Sequence, residues 1–340
     1  MIIMDFDDIV GQRVLVESLK NAIKRNMVAN AYIFNGPKGS GKKTLADIFA
    51  RAINCKGSDN KPCNLCSSCK KSIAGVNPDI MYIEPMGNSI KIEQIRKLIS
   101  DVSVKPFENT YRVIVMKNAD SMTIESQDAF LKTLEEPEGN NVFLLLTENY
   151  NALLPTIVSR CQVYNMVGLG KDDMKELLVK HGYKQGEELE IAIDNSNGII
   201  GRALEILKDE GFKQLQNEYE NILKQILEGS RVETLILSDK LLNSKEDGVK
   251  LLSFLLNFFR DILILKDLED NKYIINKTVD FSLLKSYRDN MTEEELFEII
   301  DNIKQTISSM EFNVSYKNSI DNLFLKILEV FNGKSSRSTV

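Results

Sequence analysis

GPKGSGKKT, residues 36–44, is the stretch on which the reading of this chain turns. A loop that holds nucleotide phosphates has the pattern G-x-x-x-x-G-K-[ST]. Gly36, Gly41 and Lys42 fall at that spacing, with Gly39 inside the loop and Thr44 just beyond it. Glycines let the backbone wrap closely round phosphates, the N–H groups point inward, and the start of a helix favours negative charge. The apolar run Ala31–Phe34 before the loop reads as a strand, and Lys42–Asn54 after it as a helix, which is the context the loop needs. Gly36, Gly39, Gly41, Lys42 and Thr44 are therefore candidate contacts to ATP or ADP. One position departs from the pattern: Lys43 stands where a hydroxyl would hold magnesium.

Four more apolar runs read as buried strands: Asp79–Ile83, Arg112–Met116, Val142–Thr147 and Gln162–Met166. Between them Ile92, Ile95, Ile99 and Val102 recur at helical spacing, so Ile90–Val102 reads as an amphipathic helix. Ile124–Glu136 reads as another, stopped by Pro137. Strands alternating with helices imply a parallel sheet covered on both faces. Magnesium chemistry also needs an Asp at the end of a neighbouring strand. The run with the best claim, Arg112–Met116, ends in Lys117-Asn118, and Asp120 comes three residues late. Both ends of the metal site are lysine, so hydrolysis at this loop is not expected.

After Gly168 the strand signals fade. Lys171–Lys180, Glu187–Asp194 and Gly201–Lys208 read as a small helical domain, and the remainder reads as helix, broken near residues 229–230, 243–244, 270–271 and 289–290. In the helix around Leu251–Leu263, Lys250, Ser253, Asn257 and Arg260/Asp261 form one narrow polar stripe. A helix so apolar elsewhere must be covered by several neighbours, as in a bundle core or a subunit contact. The expected organisation is α/β plus all-α: residues 1–166, 167–208, 209–332 and a disordered tail, 333–340. No internal repeats are visible.

The 340 residues are 43% hydrophobic and 27% charged with a net charge of −6, which gives no strong field for nucleic acid. The acidic start and the lack of a long uncharged apolar run point to neither signal peptide nor membrane span, hence to a cytoplasmic protein. Four of the five cysteines, Cys55, Cys63, Cys66 and Cys69, lie in a C-x7-C-x2-C-x2-C array. Four thiolates complete a tetrahedral shell, so a structural zinc is expected. The one histidine, His181, is expected at the surface.

Together these residues resemble the bacterial clamp-loader subunits of the AAA+ superfamily. Phe6–Gln12 (FDDIVGQ) is similar to the family's adenine-side motif, and a four-Cys insert follows the phosphate-loop helix. Phe130–Pro137 (FLKTLEEP), Ser159–Cys161 (SRC) and Gly198–Leu204 (GIIGRAL) match further motifs. The resemblance covers residues 1 to about 208 and implies a P-loop domain with a zinc module, a small lid domain and a helical collar. It implies that Arg160 reaches in trans into a neighbour's ATP site, that Thr147 lies at the sensor-1 position and that Arg202 is the sensor-2 arginine. Lys43, Lys117 and Asn118 depart from the hydrolysing gamma/tau pattern and look like the degenerate delta-prime kind. The implied partners are gamma/tau and delta subunits in a hetero-oligomeric ring within a DNA polymerase III holoenzyme, with the sliding clamp and primer-template DNA met through the complex. Two other readings stay open: an active gamma/tau-type ATPase and a zinc-dependent nucleic-acid-binding module.

Overall fold

The five apolar runs pair into one all-parallel sheet in the order β2-β3-β4-β1-β5: β1 Ala31–Asn35, β2 Ile80–Ile83, β3 Arg112–Met116, β4 Asn141–Thr147 and β5 Gln162–Asn165. The computed structural model describes residues 4–57, 60–136, 139–209, 211–228, 232–233, 244–268, 273–276, 279, 281–311 and 316–332. Pro137, the expected breaks at 229–230, 243 and 270–271, and the tail 333–340 lie outside the described residues. By contacts the chain divides into two compact units, Met1–Lys184 with Ser196–Leu204, and Gln185–Asn195 with Glu205–Val340.

In the first unit, side chains alternate between two cores. Tyr32, Phe34, Val113, Val115, Leu144 and Leu146 share one with helices α1 (Arg13–Lys24) and α2 (Lys42–Ile53). Ile33, Ile114, Met116, Phe143 and Leu145 share the other with α4 (Ile92–Val102) and α5 (Ile124–Glu135). A strand buried on both faces needs no polar alternation, which is why β3 and β4 read as unbroken apolar runs. The observed bounds fall within two residues of those expected. Helix α1 adds to the sequence reading; its Leu15, Val16 and Leu19 are buried.

Two polar residues fix the approach to β3. Buried Asp79, just before β2, accepts N–H bonds from Phe107, Glu108 and Asn109 at 2.5, 2.8 and 2.9 Å. The Arg112 guanidinium donates to the carbonyls of Val104 (2.9 Å) and Lys105 (3.1 Å) and to that of Asp101. The loop between α4 and β3 is therefore tied at both ends, although Phe107 itself is 79% exposed.

In the second unit, α10 (Phe212–Glu228), α11 (Lys245–Leu268), α12 (Phe281–Asn290), α13 (Glu293–Glu311) and α14 (Tyr316–Asn332) surround a core that includes Leu223, Phe254, Phe258, Leu296 and Phe324. The polar stripe of α11 is itself largely buried: Ser253, Asn257 and Asp261 are under 9% exposed. Ser253 donates to the Val249 carbonyl at 2.8 Å, satisfying its hydroxyl within the helix. Asp261 accepts from the amides of Ile275 (3.0 Å) and Asn276 (2.8 Å) and pairs with Arg260 at 3.1 Å. No helix among the described residues is long and apolar enough to cross a membrane.

Candidate nucleotide site and cysteine cluster

The loop sits at the carboxyl end of β1, between β4 and β5, where open α/β sheets place their ligands. Gly41 takes a left-handed φ of 93° and Gly39 one of 83°, conformations that favour glycine. Gly36 donates its N–H to Thr147 at 3.1 Å, so the end of β4 anchors the loop's first residue. The Thr147 hydroxyl accepts from the Asn149 amide at 3.1 Å. Lys42 folds back on its own loop, donating to the carbonyls of Gly36 (2.6 Å) and Pro37 (2.9 Å). Burial pushes its ammonium below the ordinary lysine range, against the pull of the Glu148 and Asp120 carboxylates.

Beside the loop is a cavity of about 230 Å³, lined by Val10, Gln12, Thr44, Met166, Ile200 and Leu204 among others. Gln12 donates to the Val167 carbonyl at 2.6 Å, joining the Phe6–Gln12 motif to the exit of β5. His181, expected at the surface, is half-buried and lines this cavity; its Nδ1 lies 2.7 Å from the Leu177 carbonyl oxygen. Arg202 lies in the first turn of α9 (Ile200–Lys208), whose start touches the loop: Gly201 donates to the Gly39 carbonyl at 2.9 Å.

Magnesium, which this kind of fold implies, is not matched by the side chains at its corner. Lys43 is the second residue of α2 and Lys117 follows β3, yet both ammonium groups lie over the ring of Tyr82 in β2, at 5.5 and 5.7 Å from its centroid. Asp47 ties the group together. It pairs with Lys43 at 2.7 Å and accepts from the Tyr82 hydroxyl at 2.9 Å. Lys117 pairs with Glu84. Asp120 lies in a short turn after β3 and accepts from the amides of Glu148 (3.2 Å) and Asn149 (3.3 Å). The two carboxylates beside the lysines are thus engaged by cations. No hydroxyl follows Lys42. Tyr82, Asp47 and Glu84 carried no motif signal in the sequence.

The four cysteines close into a cage. Their Sγ atoms all lie within 4.8 Å of one another, close to the separation of about 3.8 Å that four Zn–S bonds of about 2.3 Å impose on a tetrahedron. Cys55 lies just beyond the end of α2, and Cys66 caps α3 (Ser67–Ile73) by accepting from the Cys69 amide at 3.5 Å. Cys55 accepts from the Cys63 amide at 3.2 Å and Cys63 from the Cys66 amide at 3.4 Å. Such amide-to-sulfur bonds favour thiolates over thiols. The donor set fits a closed, structural metal ion with no open position for substrate.

Arg160 follows the short helix α6 (Pro155–Val158) and precedes edge strand β5. Its guanidinium donates to Glu135 at 2.7 Å and to the Thr156 carbonyl at 2.8 Å, with its side chain 36% exposed. Glu135 ends α5 within the Phe130–Pro137 motif, so the structure brings two motifs together that are distant in sequence.

The strand order and the glycine-rich loop at the carboxyl end of β1 define a P-loop-type α/β domain. The family described as DNA polymerase III, delta subunit, matches residues 11–169. DNA polymerase III subunit tau of Bacillus subtilis is 27% identical over 334 residues, covering 90% of this chain and 58% of that protein. The delta' subunit of the same organism is 24% identical over 318 residues, covering 93% of this chain and 95% of that one. A solved gamma subunit-related protein of Thermotoga maritima aligns with a TM-score of 0.48 at 21% identity, covering 93% of this chain and 99% of that chain. The match to that family spans residues 11–169 of the 340, less than half of the chain, and the DNA polymerase III subunits are what the chain is similar to.

Proposed function

We propose that this chain is the delta-prime-type subunit of a DNA polymerase III clamp loader: it does not hydrolyse ATP but supplies Arg160 to the ATP site of an adjacent gamma/tau subunit. The observation that supports this reading is the pair Lys43 and Lys117, two ammonium groups over the Tyr82 ring at the sequence positions where hydrolysis needs a hydroxyl and an Asp to hold magnesium. Arg160 stays partly exposed just beyond α6, and a guanidinium against a γ-phosphate stabilises the charge that develops during hydrolysis. In this reading residues 1–166, 167–208 and 209–332 are the nucleotide-binding-like, lid and collar domains. Thr147 and Arg202 keep the sensor positions, ATP or ADP is the loop's ligand, and zinc holds the cysteine cage. Gamma/tau and delta subunits complete the ring that opens the sliding clamp and places it on primed DNA. The test is a reconstituted complex carrying Arg160→Ala. DNA-stimulated hydrolysis at the neighbouring site falls by about 10³ or more if the arginine acts there. Unchanged hydrolysis and clamp loading sink the proposal.

One observation favours a second reading, an active gamma/tau-type ATPase: Asp120 and Glu148 act electrostatically on Lys42 and bring acidic groups to the loop. Hydrolysis by the purified chain, lost in Lys42→Ala, would establish it.

A further inference from the structure

The two lysines do more than remove a metal site. They come from different elements, α2 and the end of β3, and meet over one ring in β2. Tyr82 offers its negative face to cations and its hydroxyl to Asp47, so the corner is held by three elements of the first unit. A divalent cation brought here would face two like charges and carboxylates already engaged. A polyphosphate brought here would meet Lys42 within the loop and Lys43 and Lys117 at its edge. In an ordinary site of this kind magnesium neutralises two of the phosphates' negative charges. Two ammonium groups supply the same formal charge without a metal once phosphate oxygens displace Asp47 and Glu84 from them. The Lys43 side chain is 55% exposed, which leaves it free to exchange the Asp47 carboxylate for a phosphate oxygen.

We propose that this loop binds a nucleoside polyphosphate without a divalent cation, with Lys43 and Lys117 providing the charge that magnesium provides elsewhere. The ligand is the uncomplexed nucleotide. Its magnesium complex, with less negative charge and a bulky hydrated ion at the lysine corner, binds no better and more weakly where the ion stays attached. This rests on the non-hydrolysing reading of the loop and is independent of any role for Arg160.

The experiment is calorimetric titration of ATP, and separately ADP, into the full chain, in buffer cleared of divalent ions by resin and again in millimolar magnesium. Soluble chelators are left out because they compete for the ion of the cysteine cage. Affinity without magnesium equal to or greater than affinity with it is the expected result. Lys42→Ala weakens metal-free binding by about tenfold or more, as expected for loss of a charge-assisted contact. The double variant Lys43→Thr with Lys117→Asp weakens metal-free binding by a similar factor and makes binding magnesium-stimulated. If its circular dichroism shows misfolding, Lys117→Gln alone must weaken metal-free binding without affecting the cysteine-bound metal. Absence of binding without magnesium, or tighter binding by the wild type in magnesium, overturns the inference. Either result leaves the Arg160 experiment untouched, and a negative Arg160 result leaves the titration standing.

Discussion

Gly201 donates its N–H to the carbonyl of Gly39 at 2.9 Å, and a Cβ on Gly201 would stand 2.6 Å from the Gly39 Cα. Only glycine allows the start of α9 to rest on the phosphate loop. Gly201→Ala must push the helix off the loop or strain both, at a cost of about 1–3 kcal/mol. The denaturation midpoint should fall and nucleotide affinity should change with it. Gly186→Ala, where a Cβ meets nothing within 4 Å, is the control and should leave both nearly unchanged.

The cysteine cage should carry one metal ion per chain, zinc by the chemistry of four thiolates. Elemental analysis of purified protein tests this. Cys69→Ser, which removes a fully buried ligand, should lower the metal content and the melting temperature together. Full stability with no bound metal would remove the structural role.

Asp79→Asn should destabilise the first unit by about 1–3 kcal/mol, because a neutral amide replaces a carboxylate that gathers three backbone amides. Burial pushes the Asp79 carboxyl up, but the amides of Glu108, Phe107 and Asn109 outweigh it and hold it below the ordinary range. A lowered folded value means stability that is present above the unfolded pKa and lost as pH falls through the folded one. The loss on mutation should therefore be large at neutral pH and shrink in acid. Proteolysis within residues 104–109 reports it independently.

Asp261 has the opposite sign. Burial pushes its carboxyl up to about 6, and the amides of Asn276 and Ile275 and the charge of Arg260 only partly offset this. A raised folded value gives a contribution fully present below the unfolded pKa and lost as pH rises through about 6. The melting temperature of the wild type relative to Asp261→Asn should be more favourable at pH near 5 than near 8. A difference that stays flat, or grows with pH, contradicts the assignment.

How far the sequence could be read depended on the range of the interaction. Ile114 and Val115 lie on opposite faces of β3 and are both buried, so a plain apolar run sufficed to mark the strand. The phosphate loop and the cysteine cage are local patterns and were legible as such. The losses at Lys43 and Lys117 were also legible, one position at a time. Their meeting over Tyr82 was not, because it needs β2 beside β3 and α2 across that edge. The Arg160–Glu135 pair depends in the same way on α5 lying against the turn into β5. His181 was misplaced because a polar helix says nothing about what its last turn covers. Ser253, Asn257 and Asp261 marked a stripe whose burial only the surrounding helices decide.

The order of strands also constrains the chain during its synthesis. Strand β1 carries the loop and emerges early, but both its neighbours come late: Asn35 meets Asn165, 130 residues further on. Until then its two edges and its apolar side chains have no native partners, and sheets closed over such separations form slowly. The cysteine cage, by contrast, closes within a short local segment and can take up a metal ion before β3, β4 and β5 have emerged. A nascent chain halted before β5 is complete should therefore hold metal yet lack a formed phosphate loop, and would be a natural client for chaperones that shield exposed strand edges.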